Sequence, residues 1–165
     1  MLCNLTTGEM WRVDSPGDLV AAFPPPAMAL AAHLLVYAFT VEEDDPFGPP
    51  GTSRVRVTDS RTGFVVRSAP TATPVGFQHL FKVGSAVITP TGGIAWIACP
   101  EAGELGSLRP TCVRPGHADR VYKADSTGRR RLLDRGRDID PSSLRRSGSR
   151  IRWVAGGRTH RGRLR

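Results

Sequence analysis

Residues 89–97 read Thr-Pro-Thr-Gly-Gly-Ile-Ala-Trp-Ile, a tight turn followed by an apolar strand with an aromatic residue at its centre. Two similar strands are centred on Tyr37 and Trp153, at nearly equal separations along the chain before and after Trp96. Thr-Gly turns recur at comparable separations, with their glycines at three positions: Gly8, Gly63, Gly128. Repeats of this size are typical of β-units that cannot bury their apolar faces alone. The pattern predicts an antiparallel, all-β repeat domain.

Length and composition agree with such a domain. The 165 residues suffice for one domain with one core, and glycine and proline together make up about a fifth of the chain. The stretch 27–39 is uniformly apolar, ends in β-branched and aromatic residues, and is too short to span a bilayer. We therefore predict many short strands and no membrane span.

Local turn signals divide the chain into hairpins. Residues 55–57 and 64–66 flank the turn 59–63, and residues 120–124 are predicted to pair with 130–133 across the turn 125–128. Within residues 138–144, Asp140 followed by Pro141 predicts a capped helical turn. The closing strands are predicted at three places: 144–146, 151–155, 160–164.

The stretch 89–97, the hairpin 121–128 and the leucines of 131–133 together resemble the WD40-like β-propeller repeat of the TolB type. In that family a polar-Pro-polar-Gly turn precedes an apolar-aromatic strand, and a hairpin with tyrosine, a small residue, aspartate and glycine precedes a leucine-rich strand. The best-matched part covers residues 84–165, with degraded copies before it. The first copy lacks the Pro-Gly turn before Leu34. The resemblance implies four-stranded blades arranged around a central axis.

The resemblance divides the single domain 1–165 into units: a partial blade 1–26, a blade-like unit 27–83 with an insert at 42–52, a second unit 84–140 with a cysteine loop at 99–119, and closing strands 141–165. About two and a half blades result, whereas a ring needs four or more, so blade edges are left exposed. The chain would then self-associate, form an open curved stack of sheets, or be the C-terminal part of a longer propeller. The sequence favours the last alternative, the C-terminal part of a longer propeller.

The cysteines bear on the compartment. Cys99 and Cys112 flank a loop rich in proline and glycine, and a disulfide between them would stabilise the fold by about 3 kcal/mol. It would imply an oxidising compartment, whereas two free thiols are the alternative. Cys3 is left over, and no leader peptide precedes it. We expect an extracytoplasmic or secreted protein if the chain is a shortened form, and a cytoplasmic one otherwise.

Positive charge is concentrated at the C-terminal end. Residues 129–165 contain 13 arginines and 3 aspartates, whereas the stretch 1–128 carries a small net negative charge. Such asymmetry is typical of proteins that contact nucleic acid or another anionic surface. Arginine greatly outnumbers lysine in the whole chain. The alternative is therefore that the source organism generally uses arginine in place of lysine, and that these arginines are simply solvated. The candidate anion-binding residues are Arg145, Arg146, Arg150, Arg152, Arg158.

Catalytic and metal-binding patterns are weak. The four histidines have no carboxylate or nucleophile at a suggestive spacing, and the two loop cysteines lack the local signature of a thiol enzyme. The acidic run 42–45 could bind calcium, but consecutive carboxylates splay to alternate sides, so a solvated loop is preferred. We predict no enzyme activity, no cofactor and no metal site.

Four aromatic residues are predicted to anchor the core: Trp11, Tyr37, Trp96, Trp153. The alternative is that they form, with nearby arginines, a platform on which single-stranded nucleic acid stacks.

The sequence predicts a non-enzymatic scaffold or protein-interaction module. Its contact surface would be the inserts 42–52 and 100–118, because loops on a rigid sheet framework often carry recognition. The partner would be an unknown protein, or a second copy that covers the open blade edges. The alternative function is binding of nucleic acid or another anionic polymer through residues 129–165.

Overall fold

The computed structural model describes residues 2–3, 10–11, 28–40, 53–72, 81–100 and 118–164, and every regular element in these ranges is a β-strand. All strand pairs are antiparallel, so the predicted all-β, antiparallel class is confirmed. Within the same ranges, no helix is long and apolar enough to cross a bilayer.

Strands that follow one another along the chain lie side by side, so each sheet is a meander. A two-stranded pair comes first, followed by two four-stranded sheets and a three-stranded sheet, here called sheets I, II and III. The pair consists of β1 (Leu2–Cys3) and β2 (Met10–Trp11). Sheet I consists of β3 (Met28–Ala31), β4 (Leu34–Thr40), β5 (Ser53–Asp59) and β6 (Val65–Pro70). Sheet II consists of β7 (Phe81–Ile88), β8 (Ile94–Pro100), β9 (Asp119–Ala124) and β10 (Arg130–Gly136). Sheet III consists of β11 (Arg145–Ser147), β12 (Arg150–Ala155) and β13 (Arg158–Arg163).

Two of the predicted Thr-Gly turns connect the third and fourth strands of sheets I and II. In each turn the glycine N–H donates to an aspartate carbonyl: Gly63 to Asp59 at 2.8 Å and Gly128 to Asp125 at 2.9 Å. Both glycines have positive φ values, 72° and 84°, which glycine adopts without a steric penalty. Both predicted hairpins are thus confirmed, whereas the turn that contains Gly8 lies outside the described residues.

The prediction of a capped helical turn within residues 138–144 was wrong. Asp140 instead begins a tight turn, in which its Oδ1 accepts hydrogen bonds from the N–H of Ser142 at 2.8 Å and from the Ser142 hydroxyl at 2.7 Å. An aspartate that accepts from the N–H two residues later favours an isolated turn as readily as a helix start. The chain then continues directly into β11.

Sheets I and II pack face to face through an apolar cluster. Val36, Val55 and Val57 of sheet I meet Val83 and Trp96 of sheet II, and each of these side chains is at most 1% exposed. Complete burial of one such side chain stabilises a fold by about 1.5–3 kcal/mol. This cluster holds the first two sheets together.

A second cluster joins sheets II and III. The opposite face of β8 contributes Ala95 and Ile97, which pack with Ile151 and Trp153 of sheet III. Because successive residues of a strand point to opposite faces, β8 supplies side chains to both clusters and is apolar along its whole length. Sheet II is therefore the middle layer of the three.

The aromatic residues of the repeat occupy equivalent places, because Tyr37, Trp96 and Trp153 each lie in the second strand of their sheet. All three side chains are buried, so the prediction that they anchor the core is confirmed. Trp96 faces sheet I and Trp153 faces sheet II, so each tryptophan packs against the sheet that precedes it in the chain. The side chain of Trp11 lies outside the described part.

The first strands of the three sheets are neighbours. Strand β7 contacts β3 and β4 on one side and β11 on the other. The sheets are thus arranged so that their first strands lie together, while their last strands, β6, β10 and β13, form edges.

One arginine connects the outer strand of sheet I to the turns of sheet II. Arg67 donates from Nη1 to the carbonyls of Gly92 and Asp125, both at 2.9 Å, and from Nη2 to the carbonyl of Ser126. Its stem packs on Gly128, where a Cβ atom would lie 3.3 Å from Arg67 Nε. A single side chain thereby fixes two turns of the neighbouring sheet.

Candidate anion-binding face

Strand β12 alternates between buried and exposed residues. Ile151, Trp153 and Ala155 point into the second cluster, whereas Arg150 and Arg152 are exposed on the opposite face. This is the pattern of a strand with one face on a core and one face in solvent. The arginines of β12 therefore belong to a single outer face of sheet III.

The register of sheet III extends this face to five arginines. Arg145 pairs with Arg152, and Arg152 pairs with Arg161, so the three form a row across all three strands. In the next row along the strands, Ser147 pairs with Arg150, which pairs with Arg163. We call the following set the arginine face: Arg145, Arg150, Arg152, Arg161, Arg163.

The charges of the arginine face are close together. Neighbouring strands lie about 4.8 Å apart, so the row of three spans about 10 Å at the backbone. Among the residues that the structure describes, the ion pairs involve other groups, and none reaches these five guanidinium groups. Like charges directly opposite one another destabilise a sheet. An anion on this face would remove that repulsion.

Equivalent positions in the other two sheets are apolar. The residues that precede the central aromatics are Val36 in sheet I, Ala95 in sheet II and Arg152 in sheet III. Val36 packs against sheet II, and Ala95 packs against sheet III. The arginine face therefore lies where a further sheet would otherwise stack.

A shallow cleft adjoins the arginine face. Its volume is about 320 Å³, and it is lined by the turn that begins at Asp140 and by five residues of sheet III: Arg145, Arg152, Trp153, Val154, Thr159. Arg145 is held there, because its Nη1 donates to the carbonyl of Ser142 at 2.7 Å. Guanidinium and hydroxyl groups that line one cleft can donate hydrogen bonds to the oxygens of a phosphate or sulfate.

The structure brings together three of the five arginines predicted from the sequence. Arg145, Arg150 and Arg152 lie on the arginine face. Arg146 pairs with Ile151 and Arg158 pairs with Ala155, so both are exposed but stand on the other side of the sheet. Arg146 and Arg158 therefore do not share a face with the other three, because side-chain direction follows strand pairing rather than closeness in sequence.

Two members of the face were not among the predicted residues. Arg161 and Arg163 reach it through the hairpin whose turn is formed by Gly156 and Gly157. The available signal was the two-residue alternation of arginine in the last strand, together with the two-glycine turn that sets the hairpin register.

Other candidate residues take up structural positions. His33 Nε2 lies 3.7 Å from Asp59, and His160 Nδ1 lies 3.6 Å from Asp134. In the described ranges no three histidine, cysteine or acidic side chains are grouped so as to hold a metal ion. His79, His117 and the acidic run 42–45 lie outside those ranges.

The cysteine pairing stays a prediction. Cys99 is completely buried in β8, immediately before the long loop that precedes β9. Cys112 lies outside the described residues, as do the insert 42–52 and residues 101–117 of the insert 100–118.

Burial of the Asp119 carboxylate is expected to make the free energy of unfolding depend on pH. Asp119 is 7% exposed, and its burial raises its pKa to about 6. In the unfolded chain it titrates near 4, so the folded state holds its proton more tightly and loses relative stability as pH rises from about 4 to about 6. We expect Asp119→Asn to remove this loss and to gain about 3 kcal/mol relative to the wild type between pH 4 and pH 7.

Urea denaturation at a series of pH values measures this difference. The matched control is the same substitution at Asp138, an exposed carboxylate near the end of the same sheet. Parallel stability curves for the wild type and Asp119→Asn would contradict the prediction.

Comparison of the chain with protein-family models, with curated proteins and with solved structures finds no match. The arginine face is therefore the feature on which a functional proposal rests.

Proposed function

We propose that this chain is a non-enzymatic, propeller-like β-repeat scaffold that binds anionic polymers on its arginine face. The observation that carries the proposal is the row Arg145, Arg152 and Arg161, which lies where sheets I and II present packing residues. A purely structural outer sheet does not require three adjacent like charges, because mixed charges solubilise a sheet without cross-strand repulsion.

The propeller-like arrangement is part of the proposal. It is supported by the repeated four-stranded meander, by the equivalent places of the three aromatics, and by the adjacency of the first strands β3, β7 and β11. These features agree with the resemblance to WD40-like repeats of the TolB type. Within the described ranges, two four-stranded sheets and a three-stranded one are fewer than a ring needs, so the proposed form is an open stack or part of a longer propeller.

The scaffold is proposed to lack catalytic groups. Each described histidine, His33 and His160, lies near a carboxylate of a turn or an edge strand. The Trp153 ring, which stacks on His160 at 5.7 Å, donates its Nε1–H to Asp134 at 2.7 Å. These contacts secure the edge of sheet III.

The remaining parts of the proposal concern partners and compartment. A protein partner at the inserts 42–52 and 100–118, a Cys99–Cys112 disulfide and an extracytoplasmic location are retained as proposals from the sequence. The position of Cys99 at the end of β8, beside the second insert, supports the pairing.

Binding to inorganic polyphosphate, measured by titration at several salt concentrations, tests the proposed function. We expect affinity to fall steeply with salt, because bound arginines release counterions from the polymer. The double variant Arg145→Gln with Arg152→Gln should lose affinity by about tenfold or more, since each charged contact is worth about 1 kcal/mol under such conditions.

The matched control is Arg146→Gln with Arg158→Gln, which removes the same charge from the opposite side of the same sheet. It should retain affinity within about threefold, an effect of long-range charge only. Equal losses in the two double variants would show that net charge and not the arginine face binds the polymer, and absence of binding would refute the proposal.

A further inference from the structure

We propose that the polymer is double-stranded DNA, held through its phosphates across the narrow groove and without base recognition. This inference rests on the proposed function and specifies its ligand. It follows from the two-dimensional layout of the arginine face and from the side chains that share it.

The arginine face is a two-row array. Arg150 and Arg163 lie two residues along their strands from Arg152 and Arg161, so the two rows are about 7 Å apart at the backbone. The minor groove of B-DNA is about 6 Å wide, with a line of phosphates on each side. This width is the free space between the phosphate groups, so the two phosphate lines lie farther apart than the two rows do at the backbone. Arginine side chains are long enough to splay across this difference and contact both lines, whereas a single strand offers one line.

The strands of the arginine face present no aromatic ring on which bases could stack. The other residues on it are Ser147, Val154 and Thr159, so within the described part it carries no aromatic, amide or carboxylate side chain. Proteins that bind single strands stack bases on aromatic rings. The nearest ring, Trp153, also lines the adjoining cleft, but its side chain is 4% exposed and packs on the opposite face. Phosphate contact without stacking favours a duplex and gives no sequence preference.

The adjoining cleft adds uncharged donors at one end of the first row. The Thr159 hydroxyl lines it together with Arg152, and hydroxyl side chains commonly donate to phosphate oxygens. Asp140 also lines the cleft, where its Oδ1 accepts two hydrogen bonds from Ser142, so the cleft combines these donors with one carboxylate. The cleft thereby extends the phosphate-binding surface beyond the guanidinium groups.

The test compares a short duplex, one of its isolated strands, and heparin, by fluorescence titration of the full chain at several salt concentrations. We expect the duplex to bind at least about tenfold more tightly than the single strand, with a slope of log affinity against log salt of about −4.5 for five arginines. Duplexes of different sequence should agree within about threefold.

The two rows are separable by mutation. The variant Arg150→Gln with Arg163→Gln leaves one row of three, so the slope should fall to about −2.7 and the preference for duplex over single strand should largely disappear. The control Arg146→Gln with Arg158→Gln should keep both the slope and the preference. Thermal unfolding of each variant verifies that these exposed substitutions leave the fold intact.

The results that would contradict these expectations fall into two groups. Equal binding of duplex and single strand, a strong sequence preference, or tighter binding of heparin than of duplex would refute double-stranded DNA as the ligand and leave the proposed function standing. Absence of binding to every polyanion, polyphosphate included, would refute the proposed function itself.

Discussion

Replacement of Trp96 by alanine is expected to lower the free energy of unfolding by about 3–5 kcal/mol. The indole is completely buried between sheets I and II, and its ring stacks on Tyr122 with the ring centres 5.6 Å apart. Its Nε1–H donates to the carbonyl of Thr71 at 2.7 Å. Alanine would therefore leave a large cavity and remove a buried hydrogen bond at the junction of two sheets.

Urea denaturation followed by far-ultraviolet circular dichroism measures this loss. The matched control is Leu132→Ala in β10 of the same sheet, because Leu132 is 52% exposed and should cost less than about 1 kcal/mol. Trp96→Phe keeps an aromatic ring and should fall between the two. A Trp96→Ala variant no less stable than Leu132→Ala would show that sheets I and II do not depend on this contact.

Arg67→Met is expected to destabilise the protein by about 2 kcal/mol, because three carbonyl oxygens of sheet II turns lose a charged donor. Arg67→Lys should restore little of this loss. An ammonium group is a compact point charge, whereas the planar guanidinium of arginine presents several donors in a fixed fork.

Chemical denaturation gives the overall effect, and amide hydrogen exchange locates it. Exchange should accelerate at Gly92 and Gly128, whose turns Arg67 contacts, and not in the hairpin of sheet III. Arg137→Met removes an exposed arginine from the end of sheet II and serves as the control, with an expected change below about 0.5 kcal/mol. Equal effects of the Arg67 and Arg137 substitutions would contradict the assigned role of Arg67.

Local chemistry made the hairpins predictable. The two turns from Asp59 to Gly63 and from Asp125 to Gly128 combine an aspartate that accepts local hydrogen bonds with a glycine at positive φ. Such signals depend on a few adjacent residues and need no knowledge of the rest of the fold. The class of the protein and the buried aromatics follow from the same short-range patterns.

Elements that depend on pairing were harder to predict. Strand β7 runs unbroken through Gly84, with a register shift between Val83 and Ser85 in its pairing with β8. From the sequence, glycine suggests a break, whereas in a paired strand it is accommodated as a bulge. The turn at Asp140 carries the same residues as a helix start, and only the strand that follows distinguishes the two.

The arginine face shows the same division between local and long-range information. Concentration of arginine in residues 129–165 is visible in the sequence. Which arginines share a face depends on the register of three strands, and a shift of one residue would move Arg146 onto the face and Arg145 off it. This is why the structure, and not the sequence, showed that Arg161 and Arg163 belong to the arginine face.

The location of the arginine face also affects how copies of the chain behave toward one another. An open series of sheets can continue from one molecule to the next, and contacts of this kind that do not close produce filaments. Two arginine faces that approach each other bring like charges together, so stacking of two copies through this face is opposed. A bound polyanion would neutralise that barrier, so copies that stay apart in free solution could assemble side by side along it.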